Sequence, residues 1–299
     1  MKILITGGSG TLGTALLNQW HRKHQITVIS KDPHRQARLF AKYPHVRFIL
    51  CDICNQQAVL EACREQDTLI HAAAIKDIIY SEKQPIEASR VNAGGTANVA
   101  RCWTATGQDR PAIVISSDKA VSPLNSYGAD KKRAESIFRN YGYSALRYGN
   151  VVVSQGAFLE KWKALHAQGK FVPVRVSFQT KESPTRFFVS LDHAVRMVEE
   201  ALDLPQSGVF VPRGLSAFQV MDVAEALDYP VVYKPLLPGE KLHEELVARG
   251  EGIEAASPIL GRISDNSYWP ADDDYRGAYI SNTAPRLSSE KVLDLFGVT

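Results

Sequence analysis

The residues best suited to chemistry are a tyrosine and a lysine four positions apart, preceded by a short polar cluster. Tyr127 and Lys131 would face the same way from one helix. An ammonium beside the tyrosine would lower its pKa and let a phenolate act as a base near neutral pH. Alone, this Y-x-x-x-K spacing also occurs by chance as a surface pair. It gains weight from Ser116-Ser117-Asp118-Lys119, which directly follows a short apolar run.

A glycine-rich segment near the N-terminus predicts a dinucleotide site. It lies between an apolar run and an amphipathic run, which predict a strand and a helix. The first glycine would make the tight turn, the second would let a pyrophosphate approach the backbone, and the third would let the helix pack closely. The context favours this interpretation over an unrelated glycine turn. The residues expected to contact the cofactor here are Gly7, Ser9, Gly10, Thr11, Leu12 and Gly13.

The end of the second predicted strand selects between NADP and NAD. An acidic residue there would bind the ribose 2′-hydroxyl of NAD, but the chain reads Ser30-Lys31-Asp32, with Arg35 close behind. A hydroxyl and cations suit a 2′-phosphate, so NADP is favoured. Asp32 is a competing signal and keeps NAD as the alternative. Further cofactor contacts are expected near the adenine and along a flat wall of small residues, at Asp52, Ile53, Ala72, Ala73 and Ala74.

Short apolar runs alternate with longer amphipathic runs through the first half of the chain. Strands are predicted at 2–6, 25–30, 46–51, 68–71, 112–116 and 144–147, and helices at 11–22, 33–42, 56–65, 85–104 and 127–141. This alternation predicts an α/β fold with a doubly wound parallel sheet, the Rossmann arrangement.

Prolines and glycines interrupt the chain after about residue 150. We therefore expect a dinucleotide-binding domain over 1–150, with some later segments returning to it. A small C-terminal substrate-binding lobe is expected over 151–299, with a loop-like stretch at 251–274.

Composition excludes several other classes of protein. The 299 residues are 44% apolar and carry a formal charge of +3, without a basic block that would indicate nucleic acid. No apolar run approaches the roughly 20 residues of a membrane span, and Ile3-Leu4-Ile5 is too short for a signal peptide. Cys51 and Cys54 form a single C-x-x-C, which favours reduced thiols over a zinc site. We expect a cytoplasmic protein that binds no metal and no membrane.

Together these motifs resemble the extended short-chain dehydrogenase/reductase superfamily. The glycine turn and the Y-x-x-x-K pair carry the general likeness. Many membrane-anchored relatives have Met at the position of Tyr127. The tyrosine makes this chain resemble the soluble, C5-inverting type of enzyme, which makes a precursor of pseudaminic-acid-like sugars. The likeness to the polysaccharide-biosynthesis branch, the nucleotide-sugar 4,6-dehydratases acting on UDP-N-acetylglucosamine, extends to about residue 290. It rests on the segments His71–Lys76, Ser116–Ala120, Pro123–Ala129, Arg147–Val152, Thr185–Phe187 and Pro238–Glu244.

The resemblance implies a hydro-lyase that uses its cofactor as a hydride store within each turnover. Tyr127 takes the 4-hydroxyl proton while hydride leaves C4, and Ser117 binds the 4-oxygen. Lys119 then removes the C5 proton, Asp118 protonates the departing 6-hydroxyl, and hydride returns to C6 with inversion at C5. Lys119 must be neutral for this step, and Lys131 and the nicotinamide cation would lower its pKa. The alternative for Asp118 and Lys119 is an exposed ion pair on a loop.

Other residues are expected to complete the site. Asn92 would support its geometry beside the cofactor, and Lys76 would contact cofactor or substrate; a structural role is an equally good interpretation of each. Asn150 and Arg186 are candidates for the substrate diphosphate, because amide and guanidinium donors suit phosphate oxygens. Glu240 would belong to the nucleotide-binding lobe, at the ribose.

Three features depart from the pattern of the family. Ser117 replaces a usual Thr but keeps the hydroxyl. Residues 153–156 read Val-Ser-Gln-Gly where Gly-Ser-Arg-Gly is usual, and 179–183 form an extra loop. The changes at 153–156 and 179–183 lie on the substrate side of the expected site, and they are the two that leave the sugar and the nucleotide open.

Two other functions stay open. A nucleotide-sugar 4-epimerase on the same scaffold would need the tyrosine but no acid–base pair at Asp118 and Lys119. A non-catalytic NADP-binding regulator would ordinarily lose Tyr127 or Lys131, and both are present. By resemblance alone, a homo-oligomer is expected.

Overall fold

The structure is a computed structural model that describes residues 1–107, 110–151, 158–264 and 279–296. The chain divides into two units. The first comprises Met1–Arg147 and Val195–Phe210, and the second comprises Tyr148–Ala194 and Val211–Thr299. None of the helices in the described ranges is long and apolar enough to cross a membrane.

The strands, in chain order, are β1 (Lys2–Thr6), β2 (Gln25–Ser30), β3 (Arg47–Leu50), β4 (Thr68–His71), β5 (Ala112–Ile115), β6 (Ser144–Leu146), β7 (Asn150–Val151), β8 (Val172–Val176), β9 (Thr185–Val189), β10 (Val209–Pro212), β11 (Ala217–Gln219), β12 (Val231–Pro235), β13 (Glu245–Val247), β14 (Gly252–Ala255), β15 (Leu260–Ser264) and β16 (Tyr279–Ile280). The helices are α1 (Thr11–Trp20), α2 (Pro33–Lys42), α3 (Gln56–Cys63), α4 (Ile78–Lys83), α5 (Pro85–Ser89), α6 (Thr96–Ala105), α7 (Ser126–Asn140), α8 (Phe158–His166), α9 (Leu191–Asp203), α10 (Val220–Ala226) and α11 (Ser289–Phe296). A π-helical turn at Arg90–Gly95 and a 3-10 turn at Asp118–Ala120 complete the set.

Within the first unit, neighbouring strands follow the order β10-β6-β5-β4-β1-β2-β3, and every pair among them is parallel. Strands β4 and β5 are buried along their whole length, as expected where helices cover both faces of a parallel sheet. This order is that of a doubly wound sheet, so the predicted fold is confirmed. Loops that leave the carboxyl ends of β1, β4 and β5 therefore lie along one edge, where ligands bind in such sheets.

The second unit has smaller sheets. Strands β11, β9 and β7 form one sheet, β8 pairs parallel with β12, and β13 pairs antiparallel with β16. An apolar cluster supports β8 and α10, and its buried members include Trp162, Val174, Phe218 and Val223. The unit thus has a core of its own.

The continuous helix predicted over 85–104 is wrong. Helix α5 leads into the π-helical turn before α6 begins at Thr96. A Cβ atom on Gly95 would lie 2.6 Å from the Ile53 side chain, and Asn92 in the same turn is tied to Ile75. These tertiary contacts override the regular helical repeat, and π-turns often mark functional positions.

The loop-like interpretation of 251–274 is also wrong for its first part. Strands β14 and β15 pair antiparallel there, with Gly252 opposite Ser264. Only Ile253 of β14 is buried, packed with Val211 and Val247, so an alternating pattern is hard to see in the sequence. The remaining part of that stretch, at 265–274, lies outside the described residues, as does the departure from the family pattern at 153–156.

Candidate active site

Backbone contacts leave no room for a side chain at two positions of the glycine turn, Gly7 and Gly13. Gly7 has a φ of +68°, and a Cβ atom there would lie 2.7 Å from the backbone of Ala73. A Cβ atom on Gly13 would lie 2.3 Å from Gly8, so α1 packs directly on the turn. Gly10 N-caps α1, and a helix that begins at glycine presents its first N–H groups to an anion. This geometry fits a dinucleotide pyrophosphate.

The end of β2 has one polar atom whose hydrogen bonding is unfulfilled. Ser30 Oγ is buried and makes no hydrogen bond within the described ranges. Asp32 instead N-caps α2 by accepting from the backbone N–H of Arg35 at 3.0 Å. The Arg35 guanidinium lies 3.1 Å from the same carboxylate. That backbone hydrogen bond, followed by the charge of Arg35, holds the pKa of Asp32 below its usual value. Lys31, between Ser30 and Asp32, is exposed.

The predicted adenine contacts are both occupied by contacts within the protein. Asp52 accepts from the backbone N–H of Cys54 at 2.9 Å and lies 3.5 Å from the Arg90 guanidinium. The carbonyl of Ile53 accepts from the Asn98 side chain at 2.8 Å, and its own side chain packs against the π-helical turn. These contacts fix the loop after β3.

The small-residue wall after β4 is clamped from two sides. The backbone N–H of Ala73 donates to Thr6 Oγ1 at 3.2 Å, and that of Ala72 donates to the Thr6 carbonyl at 3.1 Å. Asn92 binds both backbone groups of Ile75, accepting from its N–H at 2.7 Å and donating to its carbonyl at 3.0 Å. The Asn92 side chain therefore holds the wall by hydrogen bonds to the backbone of Ile75. Lys76 follows this segment, and Ala74 precedes the clamped Ile75.

The predicted tyrosine–lysine pair lies on the first turns of α7. Asn125 N-caps this helix by accepting from the N–H of Gly128 at 2.8 Å. Tyr127 and Lys131 are both buried, and Lys131 Nζ lies 5.9 Å from the centre of the tyrosine ring. The Lys131 ammonium donates to the Ile115 carbonyl at 2.8 Å, at the end of β5. Burial lowers the pKa of Lys131 to about 8, against the opposing charges of Glu135 and Asp130.

The acid–base candidates form a largely buried cluster rather than an exposed pair, with Asp118 buried and Ser117 and Lys119 partly exposed. Lys119 Nζ donates to Asp118 Oδ1 at 3.0 Å, and the Ser117 hydroxyl donates to the same oxygen at 2.8 Å. Ser117 Oγ also caps the 3-10 turn by accepting from the Lys119 N–H at 3.2 Å. The Asp118 side chain is fully buried, and only 16% of the Lys119 side chain is exposed. The interpretation as an exposed ion pair is therefore wrong.

Gly128 brings the tyrosine helix and the acid–base turn together. A Cβ atom at this position would lie 2.3 Å from the Lys119 carbonyl oxygen. Only glycine permits so close an approach of α7 to the turn. Sequence reasoning quoted this glycine within a motif but gave it no role, because the partner segment is known only from the fold.

A buried network behind the cluster was not predicted at all. Glu135 accepts from the Ser116 hydroxyl at 2.5 Å and from two nitrogens of Arg147 at 2.9 Å each. Their relative exposures are 2% for Glu135, 1% for Arg147 and 3% for Ser116, so this is a buried network that joins α7 to the residues directly after β5 and β6. The available signal was spacing, since Glu135 follows Tyr127 and Lys131 at four-residue intervals on one helix face.

The predicted diphosphate ligands lie on neighbouring strands of the second unit. Asn150 begins β7, which pairs with β9, and Arg186 lies in β9. The Arg186 guanidinium donates to Glu240 Oε1 at 3.1 Å and lies 3.8 Å from Glu244. Glu240 also lies 3.7 Å from Arg175. Glu240 is therefore an ion-pair partner of two arginines, a role that sequence reasoning did not assign to it.

Comparisons with known proteins agree with these motifs. A family model described as "Polysaccharide biosynthesis protein" matches residues 3–258. The UDP-N-acetylglucosamine 4,6-dehydratase (inverting) of Campylobacter jejuni is 31% identical, over 98% of this chain and 96% of its own. A UDP-glucose 4-epimerase of Rickettsia bellii is 28% identical, over 98% of this chain and 94% of its own.

Solved structures show the same fold. Pen from Bacillus thuringiensis superposes with a TM-score of 0.87 at 25% identity, covering 100% of this chain and 97% of its own. DesIV from Streptomyces venezuelae, a dTDP-glucose 4,6-dehydratase solved with NAD bound, gives a TM-score of 0.72 at 18% identity, covering 81% and 87%. With the family match over most of its length, this chain belongs to the polysaccharide biosynthesis protein family, within the extended short-chain dehydrogenases/reductases.

Proposed function

We propose that this protein is a nucleotide-sugar 4,6-dehydratase that acts on UDP-N-acetylglucosamine and inverts C5. The observation that carries the proposal is the buried Asp118–Lys119 pair held against the tyrosine helix at Gly128. Oxidation at C4 alone needs only the tyrosine and its lysine, whereas loss of water also needs a base for C5 and an acid for the 6-hydroxyl. The similarity to the Campylobacter enzyme supports the substrate and the inversion.

The first chemical role belongs to Tyr127. A bound nicotinamide would supply a hydride acceptor at C4 and return the hydride later at C6. Tyr127 takes the proton of the 4-hydroxyl, and the Ser117 hydroxyl binds the 4-oxygen. The Lys131 ammonium, anchored on the Ile115 carbonyl, stabilises the phenolate charge through its proximity to the ring.

The second role belongs to the buried pair. One proton lies in the 3.0 Å hydrogen bond between Lys119 Nζ and Asp118 Oδ1. Transfer of this proton to the carboxylate leaves a neutral amine beside a carboxylic acid, which are the base and acid that dehydration needs. Lys119 takes the C5 proton, Asp118 gives its proton to the 6-hydroxyl, and water leaves as the C5–C6 double bond forms. A hydride at C6 and a solvent-derived proton at C5, added on the face opposite to the one that Lys119 deprotonates, then complete the 4-keto-6-deoxy sugar.

The proposed cofactor is NADP, with NAD as the alternative. Asp32 N-caps α2 and pairs with Arg35, so part of its capacity to accept a hydrogen bond from a ribose hydroxyl is already used. Ser30 Oγ is the buried polar atom at this strand end whose hydrogen bonding a ligand would complete. The exposed Lys31 adds a cation of the kind that suits a 2′-phosphate.

A proton NMR time course with UDP-N-acetylglucosamine in deuterated water tests this function. We expect the C6 methylene signals to be replaced by a methyl signal, with one solvent deuterium at C5 and inverted configuration there. Protein stripped of nucleotide should recover more activity with NADP than with equimolar NAD. Absence of a 4-keto-6-deoxy product from this substrate would contradict the proposal, and faster recovery with NAD would contradict the cofactor assignment.

An epimerase is the second candidate, because the Rickettsia relatives carry that name. The same spectra distinguish it. Interconversion at C4 without methyl formation, with UDP-glucose or with UDP-N-acetylglucosamine, would favour the epimerase over the dehydratase.

Activity should have an alkaline limit set by Lys131. Burial lowers the pKa of this lysine to about 8, so its charge is present below that pH and is lost as the pH rises through it. We expect kcat/KM to fall above about pH 8, because a neutral amine no longer stabilises the Tyr127 phenolate. The K131R variant keeps its charge, so its activity, although lower overall, should not fall between pH 8 and 10. A wild-type profile that stays flat to pH 10 would contradict this role.

A further inference from the structure

A chain of four hydrogen bonds runs through His71, at the end of β4. The Ala73 N–H donates to Thr6 Oγ1 at 3.2 Å, and Thr6 Oγ1 lies 2.6 Å from His71 Nδ1. On the other side of the ring, His71 Nε2 lies 2.9 Å from Thr96 Oγ1, which donates to the Asn92 carbonyl at 2.5 Å. The three linking side chains are at most 2% exposed. None of them has a part in the chemistry described above.

The direction of every hydrogen bond in this chain is determined. The single hydroxyl proton of Thr96 goes to the Asn92 carbonyl, so Thr96 Oγ1 accepts from His71 Nε2–H. A neutral imidazole with its proton on Nε2 accepts at Nδ1, so the Thr6 hydroxyl donates there. Thr6 Oγ1 in turn accepts from Ala73. The chain therefore runs in one direction from a backbone N–H to a backbone carbonyl.

His71 stays neutral, as this arrangement requires. Burial, with a smaller effect of the Lys131 charge, lowers the pKa of His71 to about 3. A protonated ring would also donate at Nδ1, and the Thr6 hydroxyl, which donates to this nitrogen when the ring is neutral, would have to direct its proton elsewhere. The hydrogen-bond chain is thus the same at all pH values at which enzymes of this kind are assayed.

Both ends of the chain hold the wall that faces the glycine turn. One end is the Ala73 N–H itself, and the other is the backbone of Asn92, whose side chain grips Ile75. Because a Cβ atom on Gly7 would lie 2.7 Å from Ala73, wall and turn are already in backbone contact. A small displacement of this wall would therefore change the gap in which a dinucleotide lies.

We propose that His71 is a positioning residue for the dinucleotide, acting through Thr6 and Thr96 to set the position of the wall at Ala73. This inference rests on the proposed function only for the binding of a nicotinamide dinucleotide. The competing explanation is simple packing, since the ring stacks on Phe138 with centroids 5.6 Å apart. The two explanations differ in what the hydrogen bonds, as opposed to the ring volume, contribute.

Two threonines of α6 offer a matched pair of variants. Thr96 and Thr104 each donate to the carbonyl four residues earlier, and each contacts a second polar side chain. Only Thr96 belongs to the chain of hydrogen bonds through His71. T96V leaves the buried His71 Nε2–H without its acceptor, which should weaken dinucleotide binding about tenfold. T104V should change the affinity for the dinucleotide less than about twofold, since its partner Tyr143 takes no part in the hydrogen bonds through His71.

The experiment is calorimetric titration of the nucleotide-stripped protein with NADP and with NAD, accompanied by turnover assays and thermal unfolding. H71L keeps ring-sized packing on Phe138 but loses the chain, whereas H71Q keeps one acceptor and one donor. We expect H71L to bind the dinucleotide at least about tenfold more weakly and H71Q to recover most of that loss. KM for the sugar nucleotide should stay within about twofold of wild type at saturating dinucleotide.

Several results would overturn the inference. Wild-type affinity in both T96V and H71L would do so, as would equal losses in T96V and T104V, or equal losses in H71L and H71Q. A wild-type protein that binds neither dinucleotide would overturn this inference together with the proposed function. A wild-type protein that binds dinucleotide but forms no 4-keto product would overturn the proposed function alone, and the variant series would still decide the role of His71.

Discussion

Lys119→Met is expected to lower the rate of water loss about 10³-fold, because the substitution removes the base at C5 and the donor that places a proton on Asp118. The hydride step at C4 depends on Tyr127 and Lys131, which the substitution leaves in place. The variant should therefore still transfer hydride from C4 of the sugar. The product is measured as the methyl signal of the 4-keto-6-deoxy sugar by proton NMR.

A surface lysine provides the control for this variant. Lys132 is exposed on α7, next to Lys131 in sequence but outside the described cluster, so K132M should retain wild-type turnover. D118N provides a second variant, which keeps the side-chain volume but cannot accept the transferred proton. If K119M forms the deoxy sugar at more than a tenth of the wild-type rate, the acid–base role of this pair is contradicted.

Glu135→Leu should lower the free energy of unfolding by about 3–5 kcal/mol, because it leaves the buried Arg147 guanidinium without its carboxylate. Ser116 would also lose the acceptor of its hydroxyl, directly beside Ser117, which we propose binds the 4-oxygen of the sugar. The measurement is chemical denaturation monitored by circular dichroism, and the first unfolding transition is compared between variants. Expression yield should fall in parallel.

The double variant E135L/R147M separates the loss of the pair from the cost of an isolated charge. Replacing both partners with apolar side chains of similar volume should restore most of the lost stability. The surface pair Glu61–Arg64, at 3.2 Å, is the matched control, and E61L should change the free energy of unfolding by less than about 1 kcal/mol. Equal effects of E135L and E61L would contradict the importance of burial at Glu135.

The sequence predicted what depends on local spacing. The glycine turn, the strand–helix alternation and the Tyr127–Lys131 pair are all expressed within short segments, and each has a direct physical reading. The buried state of Asp118 and Lys119 could not be predicted in the same way. It depends on how residues 121–125 fold back, because this short connection places Gly128 of α7 against the Lys119 carbonyl.

Partners distant in sequence account for the other features that were missed. Ser116 and Arg147 both reach Glu135 because they directly follow the adjacent strands β5 and β6, and Thr6 meets His71 because β1 and β4 are adjacent. Residue type indicated an anion site at Arg186, yet two glutamates already flank that guanidinium. Such pairings follow from topology, so they become visible only when strand order is known.

The contact between Gly128 and the Lys119 carbonyl has a consequence for how such enzymes can diverge. It joins backbone to backbone, so it cannot adapt by a change of rotamer as a contact between side chains can. The distance between the tyrosine helix and the acid–base turn is thus set by the main chain and not by side-chain conformation. In this protein, side-chain substitutions around the site would therefore act on a constant backbone spacing, whereas a side chain at position 128 would change the spacing itself.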